Sequence, residues 1–210
     1  MSEETATARY PDGAPLEATH PNKQTLDLLR ARRSAKFALL RAPGPNKDQL
    51  MTLLAIASRV PDHGKLAPWR FLVIEGAARA KFGDLLAKTW AENEPAASPP
   101  ERLALERSRF AEAPVIVAVV SRVTEGIKIP VWEQQLSAGA VCTTLLIAAN
   151  AMGFSGSWIT EWYGYDKKIF AALGLKANER IAGFVGLGTV SEVTERARPE
   201  LDELVTYWTG

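Results

Sequence analysis

The run Val115-Ile116-Val117-Ala118-Val119-Val120, which follows Pro114, decides the fold. An unbroken apolar stretch of this length, rich in β-branched residues, predicts a central strand that is buried on both faces. Such a strand belongs to a sheet that is covered by helices. The pattern leaves the strand directions open, so the fold class is either α/β or α+β.

Helical and strand patterns are mixed along the chain on both sides of this run. Before it we predict a helix that opens after Asn22 and reaches Arg33, a helix capped by Asn46, a strand at 70–74, a helix over 82–90 and a charged helix over 101–112. After it we predict a long helix over 130–152, a strand over 157–160, a helix over 166–173 and a strand over 181–187. No internal repeat interrupts this order.

The two ends and one internal loop differ in composition from the body of the chain. Residues 1–20 predict a flexible leader, and residues 21–210 predict a single domain. Prolines and small residues over 92–100 predict a mobile flap. The polar tail after Val193 carries two aromatic residues, Tyr207 and Trp208, which we expect to act as anchors.

Composition excludes several functional classes. The chain is 47% hydrophobic and 23% charged, which is ordinary for a soluble globular protein, and its net charge of +1 gives no bulk attraction to nucleic acid or to an acidic membrane. The longest apolar stretch, residues 136–154, is interrupted by Ser137, Thr143 and Asn150, which favours a core helix over a membrane span. We therefore expect no nucleic-acid or membrane partner and a cytoplasmic location.

The metal-binding and thiol residues are few. Cys142 is the only cysteine, so no intrachain disulfide can form, and its apolar neighbours predict a buried inert thiol. Two histidines in the whole chain give no basis for a histidine-rich metal site. We expect no metal.

The cluster Arg32-Arg33-Ser34 is the first candidate binding segment. Guanidinium groups offer paired donors at the spacing of phosphate oxygens, and a hydroxyl adds a further donor. The alternative is structural, because cations in the last turn of a helix complement its dipole. Two cations and a hydroxyl at a helix exit predict a phosphate site.

The second candidate segment runs from Arg59 to Trp69 and contains Pro61-Asp62-His63-Gly64. The turn can direct Arg59 and His63 into one cleft, beside the indole of Trp69. The alternative is that His63 is hydrogen-bonded inside the turn, with Asp62 forming an Asx-turn. Together the two candidate segments predict a site for a phosphorylated aromatic cofactor.

Two other motifs are weaker. The glycines of Gly183-Phe184-Val185-Gly186-Leu187-Gly188 fall within a predicted strand, lack the G-x-G-x-x-G spacing and precede no helix, so they are not a Rossmann fingerprint. They predict positions where another backbone comes close. Residues 132–135 could line a pocket, although polarity of a helix surface is the commoner explanation.

In this order the segments resemble the nitroreductase family of flavin proteins, in particular its short single-domain branch, over about residues 23–208. The resemblance is carried by Arg32-Arg33-Ser34, Arg59-Val60-Pro61-Asp62-His63, Pro68-Trp69-Arg70-Phe71, Pro130-Val131-Trp132-Glu133-Gln134, Ser137-Ala138-Gly139 and Gly183–Thr189. It implies an α+β fold with a mostly antiparallel central sheet, and a homodimer whose FMN sites lie at the subunit interface. It implies no catalytic side chain.

The resemblance also implies roles for individual positions. Arg32, Arg33 and Ser34 would hold the flavin phosphate and ribityl chain, Arg59 and His63 would touch FMN, and Trp158, Ile159 and Thr160 would lie along the flavin. Ala148, Ala149, Asn150, Ala151, Met152 and Gly153 would contact the nicotinamide nucleotide. Arg196 and Arg198 resemble basic residues that meet the phosphate in other branches. The chain departs from the branch at Ile159, where a more polar or basic residue is expected.

The implied activity is FMN-dependent transfer of hydride from NAD(P)H, through flavin N5, to a nitroaromatic or similar small electrophilic acceptor. Arg33 or Arg59 would supply positive charge at the N1–C2 edge of the flavin. The 92–100 loop with Trp162 or Tyr163 would shape the acceptor pocket, with ordinary packing as the alternative. Three other functions stay open: a non-catalytic flavin-binding or flavin-delivering protein, a family relative with another flavin reaction, and an anion-binding module without a cofactor.

Overall fold

A computed structural model describes residue 10, residues 13–16 and residues 20–210. Most of the predicted leader lies outside the described residues. The helices are α1 (Lys23–Ala31), α2 (Lys47–Ala57), α3 (Ala77–Asn93), α4 (Pro100–Ser108), α5 (Val131–Ala151) and α6 (Lys167–Ala172). The strands are β1 (Trp69–Glu75), β2 (Val115–Arg122), β3 (Ser155–Ile159) and β4 (Glu179–Gly188).

The four strands form one sheet in the order β1-β2-β4-β3, and every neighbouring pair is antiparallel. Phe71 of β1 lies opposite Val119 of β2, and Val117 of β2 lies opposite Val185 of β4. The antiparallel order resolves the fold class as α+β, as the family resemblance implied. The run that decided the fold is β2, which lies inside the sheet and is buried from Val115 to Ser121.

Alternation along β2 divides the core into two layers. Val115, Val117 and Val119 pack with α2 and α5 on one face of the sheet. Ile116, Ala118 and Val120 pack on the other face, in a cluster that includes residues of α3 and α6. Because successive strand side chains point to opposite faces, one continuous apolar strand supplies both cores.

The second core is built around aromatic rings. The ring of Phe110 lies 5.0 Å from that of Phe82, 5.3 Å from that of Tyr163 and 5.4 Å from that of Phe184. All three pairs are tilted or edge-to-face, the arrangements that ring quadrupoles favour. This cluster fixes the segment after β3 against the sheet.

Local signals explain where the helices begin. The Asn46 side chain accepts from the Gln49 amide while the Gln49 side chain accepts from the Asn46 amide, so the cap predicted for α2 is confirmed as a complete capping box. Asn22 caps α1 through the Thr25 amide. Asp166 caps α6 through the amides of Lys168 and Ile169.

Several predicted boundaries were wrong. Helix α1 ends at Ala31, since Arg32 has ψ of 124°, so Arg32 and Arg33 follow the last turn and do not belong to it. Helix α4 covers 100–108, where 101–112 was predicted. The loop predicted over 92–100 is shorter in the structure, because α3 runs to Asn93 and α4 begins at Pro100; it contains a 3-10 turn at Pro95–Ala97, and the Trp90 indole donates to the Ala97 carbonyl at 3.0 Å.

Two further sequence predictions have clear outcomes. Cys142 is fully buried in the first core, and burial raises the pKa of its thiol to about 12, as expected for an inert cysteine.

Tyr207 and Trp208 are 87% and 89% exposed, so the prediction that they anchor the tail was wrong for a single chain. Among the described residues, no helix combines the length and the apolar character needed to cross a membrane.

Candidate functional site

Helix α5 holds the loop of the second candidate segment at its first turns. The Ser137 hydroxyl donates to the Pro61 carbonyl at 2.6 Å, and the Nδ1 atom of His63 lies 2.8 Å from the Glu133 carboxylate. Ser137 and Glu133 are four residues apart and therefore share one helix face. The alternative in which His63 is bonded inside its own turn was wrong, because its partner lies on α5.

Asp62 shapes that loop from within. Its carboxylate accepts from the amides of Leu66 at 3.1 Å and Ala67 at 2.8 Å, four and five residues on, so it closes a wider loop than the Asx-turn that the sequence suggested. Lys65 and Ala67 have φ of 54° and 44°, a left-handed backbone that costs free energy for residues other than glycine. The loop is thus held in one conformation against local strain, with His63 mostly exposed at its tip.

Trp158 reaches the same helix from β3. A Cβ atom at Gly139 of α5 would lie 3.8 Å from the Trp158 ring, and the indole nitrogen donates to the Ala182 carbonyl at 3.1 Å. The indole covers Gly183 so closely that a Cβ atom there would lie 1.8 Å from its nitrogen. At Gly183, and likewise at Gly186 beside Phe37, the close neighbour is a side chain, so the predicted close backbone was wrong there. At Gly188 an added Cβ atom would lie 2.8 Å from the Arg41 carbonyl oxygen and equally close to the Pro114 ring, so that prediction is confirmed in part.

The other two residues of that segment point elsewhere. Ile159 packs against the second core, on the opposite side of the sheet from Trp158. The Thr160 hydroxyl accepts from the Tyr165 hydroxyl at 3.4 Å. Within the segment that the resemblance implies lies along a flavin, only the Trp158 side chain faces α5.

The first candidate segment runs along the open edge of β3. The Ala35 amide donates to the Gly156 carbonyl at 3.0 Å, which places Arg32, Arg33 and Ser34 next to the strand that carries Trp158. All three side chains are half-buried. We call the arrangement of residues 32–34, 59–67, 133–139 and 158 the α5 site.

Arg33 is already engaged by the C-terminal segment. Its Nε donates to the Thr194 carbonyl at 3.0 Å, and the same atom lies 3.7 Å from the Glu195 carboxylate. Glu195 also pairs with Arg198 at 3.0 Å, so this carboxylate lies between two arginines that the resemblance had implied for phosphate binding. A hydrogen bond from the Arg196 amide, followed by the charges of Arg198 and Arg33, lowers the pKa of Glu195.

Unlike Arg33, the residues Arg32 and Arg59 have guanidinium groups that no other described residue engages. Arg59 is exposed just after α2, and Arg32 is half-buried. Neither guanidinium has a hydrogen-bond or ion-pair partner among the described residues. A guanidinium without a protein partner is suited to an anionic ligand, and each of the two candidate segments supplies one.

The predicted nucleotide segment lies at the far end of α5. Ala148 and Ala149 are buried in the first core, whereas Ala151 and Gly153 are exposed and Asn150 uses its amide to donate to the Phe154 carbonyl at 2.8 Å. Gly139 and Ala148 are nine positions apart along the helix, a rise of about 14 Å. The structure does not bring this segment into the cluster of contacts around Glu133–Gly139.

The two aromatic candidates for an acceptor pocket differ, because Trp162 lines a cavity of about 270 Å³ with Asn93 and Glu94 of the 92–100 loop, whereas Tyr163 does not line it. Tyr163 is fully buried in the second core, and burial is the main cause that raises the pKa of its hydroxyl, so its assignment to a pocket was wrong. The Trp162 indole donates to buried Glu106 at 3.0 Å. Glu106 is also held by Arg102 at 2.7 Å and Arg109 at 2.5 Å, so Trp162 completes a buried charge network.

Sequence reasoning missed two contributors to the α5 site and left a third open. Ser137 and Gly139 were given no role at a site, and Glu133 lies in the 132–135 stretch, for which a pocket lining was weighed against ordinary polarity of a helix surface. The signal was their spacing, which puts Glu133 and Ser137 on one face. Neighbouring Gln134 is 2% exposed and bonds to the backbone of Thr124 and Ile129, so this polar turn is not simply surface.

A nonpolar surface borders the α5 site. Trp132 and Leu136 of α5 are 67% and 53% exposed, and Trp158 is 39% exposed. Leu26 and Leu29 of α1, which contacts α5, are also about half exposed. Large apolar side chains grouped in this way are typical of an interaction surface.

Comparisons with known proteins identify the class to which this fold and site belong. The model of the Nitroreductase family matches residues 29–189, more than half of the chain. The chain belongs to the nitroreductase family. The resemblance derived from Arg32-Arg33-Ser34 and the later motifs is therefore confirmed.

Individual relatives agree with this placement. The Escherichia coli K12 protein named "Putative NAD(P)H nitroreductase YdjA" is 35% identical over 187 residues, which cover 87% of this chain and 98% of the relative. A Haemophilus influenzae protein, named "Putative NAD(P)H nitroreductase", is 36% identical over 185 residues, with the same coverage.

Solved structures share the fold. A nitroreductase-like family protein from Bacillus cereus has a TM-score of 0.78 at 23% identity, covering 92% of this chain and 100% of its own. A nitroreductase with bound FMN from Bacteroides fragilis has a TM-score of 0.65 at 17% identity, covering 89% and 100%. At these identities the likeness shows the α+β architecture.

Proposed function

We propose that this protein is an FMN-dependent oxidoreductase that transfers hydride from NAD(P)H to nitroaromatic or similar electrophilic acceptors. Membership of the nitroreductase family supports the enzyme class, and relatives named as NAD(P)H nitroreductases or solved with FMN support the cofactors. When bound, FMN would accept hydride at N5 and deliver it to the acceptor. We also propose a cytoplasmic location, where NAD(P)H is supplied.

One observation carries the proposal: two segments far apart in sequence meet α5 within two turns, and a third lies beside them. Pro61 and His63 are bonded to Ser137 and Glu133, Trp158 contacts Gly139, and residues 32–34 run along β3 next to Trp158. The combination offers cations, a hydroxyl, an imidazole and an indole. These groups fit a nucleotide with a flat ring.

Different residues of the α5 site would bind different parts of FMN. Arg32 and Ser34 would bind the phosphate, with Arg33 and Arg198 available once Glu195 no longer lies between them. Arg59 would supply positive charge to the reduced ring. Glu133 orients His63 by accepting at Nδ1, which leaves Nε2 of the imidazole for the ligand.

Two further assignments follow from the family. The exposed end of α5 at Ala151 and Gly153 would meet the nicotinamide nucleotide, chiefly through backbone, because Ala148 and Ala149 face the core. The exposed apolar surface at Trp132, Leu136 and Trp158 would be covered by a second copy of the chain. The flavin site would then lie at the interface of a homodimer.

The binding assignment is tested by the flavin content of the double variant Arg32→Ala/Ser34→Ala. We expect it to lose most of its FMN while keeping its far-ultraviolet circular dichroism, since both side chains lack structural partners among the described residues. Arg30→Ala, which removes a neighbouring exposed cation of α1, is the matched control and should keep its FMN. Unchanged occupancy in the double variant would overturn the phosphate assignment.

A further inference from the structure

A cavity lies on the face of the sheet that carries the second core, away from the α5 site. It has a volume of about 420 Å³ and is formed by α6, the turn after it and the beginning of β4. Phe170 and Leu175 supply its apolar lining and also pack against the second core. Its size falls within the range of small-molecule sites.

Three cations surround this apolar lining. Lys167, Lys176 and Arg180 all line the cavity, and no carboxylate side chain does. Arg180 is held in place, because one of its terminal nitrogens donates to the Ala177 carbonyl at 2.9 Å and to the Glu179 carbonyl at 2.7 Å. A concave surface lined by one sign of charge concentrates the opposite charge.

The acidic residues adjacent in sequence form no ion pair with these three cations among the described residues. Glu179 is buried and forms a two-point ion pair with Arg70, with nitrogen–oxygen distances of 2.7 and 2.9 Å. Asp166 accepts from two backbone amides of α6 and from the Asn93 side chain at 2.7 Å. Arg70 neutralises Glu179, and Asp166 lines a neighbouring cavity together with Asn93, so neither carboxylate lines the cavity that holds the three cations.

From this combination we infer that the cavity binds an aromatic carboxylate. A flat apolar ring would pack against Phe170 and the ring of Tyr165, which also lines the cavity, while the carboxylate would meet Lys167, Lys176 and Arg180. The apolar lining favours an organic monoanion over a free inorganic anion, because an inorganic anion cannot use the apolar area. The site is separate from the residues proposed for FMN.

Calorimetric titration of the full-length FMN-loaded protein tests this inference with three probes. We expect 2-naphthoate to bind. Neutral 2-naphthylmethanol lacks the carboxylate and inorganic phosphate lacks the aromatic ring, so each should bind at least about tenfold more weakly. Equal binding of the neutral alcohol would show that charge plays no part and would overturn the inference. Equal binding of phosphate would overturn it in the same way.

A matched pair of variants locates the site. Lys167→Ala/Lys176→Ala should weaken 2-naphthoate binding about tenfold, whereas Lys47→Ala/Lys81→Ala, which removes two exposed lysines of α2 and α3, should leave it unchanged. The Leu175 methyl resonances should shift with ligand in the unaltered protein. Equal affinity in both variants would mean that the ligand binds elsewhere, for example over the flavin, and would contradict the inference.

Binding of 2-naphthoate to this cavity should not require the proposed flavin site. The same titration on Arg32→Ala/Ser34→Ala protein should give the same affinity for 2-naphthoate, because none of the cavity residues belongs to the α5 site. Loss of binding in that protein would overturn the claim of a separate site. Loss of FMN alone would affect only the flavin assignment.

Discussion

At the scale of single residues, the pairing of Trp158 with Gly183 explains how the α5 site obtains its aromatic wall. The indole lies directly against the glycine and donates to the neighbouring Ala182 carbonyl. Gly139 leaves ordinary contact distance on the helix side. Two glycines on separate elements therefore fix the position of one large side chain.

Gly183→Ala tests this pairing. The added methyl would overlap the indole, so we expect a loss of about 1–3 kcal/mol in the free energy of unfolding and a shift in tryptophan fluorescence. Urea denaturation measures the first effect and an emission spectrum the second.

A double-mutant cycle with Trp158→Ala supplies the control. Without the indole, the alanine at position 183 meets no clash from it, so Gly183→Ala should cost much less in that background. The same cost in both backgrounds would contradict the proposed packing. The cost at Gly183 comes from the indole and not from backbone strain, because Gly183 does not have the positive φ that would strain an alanine, as Gly174 does with φ of 68°.

At the scale of elements, the Arg70–Glu179 pair connects β1 to β4 across the intervening strand β2. Glu179 is 2% exposed and also accepts from the Lys176 amide at 2.8 Å. The hydrogen bond from Arg70 is the main cause that lowers the pKa of Glu179 from 4.5 to about 2. The pair was not predicted, because Arg70 alone reads as a surface cation.

The Arg70–Glu179 pair makes the free energy of unfolding depend on pH, because the pKa of Glu179 is lower in the folded state than in the unfolded state. A carboxylate whose pKa is lower in the folded state stabilises the fold above the unfolded-state value, and this contribution is lost as the pH falls from about 4.5 to about 2. Glu179→Gln should cost about 3 kcal/mol at neutral pH and flatten the decline in acid. Denaturant titrations at several pH values measure both effects.

Glu200→Gln is the matched control, since Glu200 is exposed and has no ion-pair partner among the described residues. Its stability should follow that of the unaltered protein at every pH. If Glu179→Gln declined in acid as steeply as the unaltered protein, Glu179 would not be the group responsible.

Elements were predictable from sequence where the signal was local. The β-branched run gave β2, and Asn46 with Gln49 gave the start of α2, because each signal lies within a few residues. The end of α3 was placed a few residues short, because the sequence between Trp90 and Pro100 carries no single sharp stop signal and the Trp90 indole instead donates to Ala97 of the following turn. The partners of His63 and Arg33 lie 70 and 161 residues away, beyond any local pattern.

At the scale of the whole molecule, a single chain leaves a nonpolar surface uncovered around α5. Trp132 and Leu136 protrude from it, and Trp158 adds to it from the sheet. Tyr207 and Trp208 of the tail are also free of the single chain's core. Burial of these side chains against a second copy would remove a large apolar area from water.

Leu136→Lys tests the dimer. A charge at this surface would be desolvated on association, so we expect the variant to sediment as a monomer where the unaltered protein sediments as a dimer. Leu105→Lys on α4 is the control, because Leu105 is 50% exposed, close to the 53% of Leu136, but lies away from α5. Dimers of both variants would contradict the assignment of this surface, and a monomeric unaltered protein would contradict the dimer itself.

The central claim, that guanidinium groups from two segments bind FMN beside α5 and so make the chain a nicotinamide-dependent flavin enzyme, is tested most directly by one visible absorption spectrum. The purified protein is recorded before and after NADPH, and separately NADH, is added without oxygen. We predict the band of an oxidised flavin, and its bleaching by at least one of the two nucleotides. A protein that stays colourless after incubation with FMN, or a bound flavin that neither nucleotide bleaches, would contradict the account.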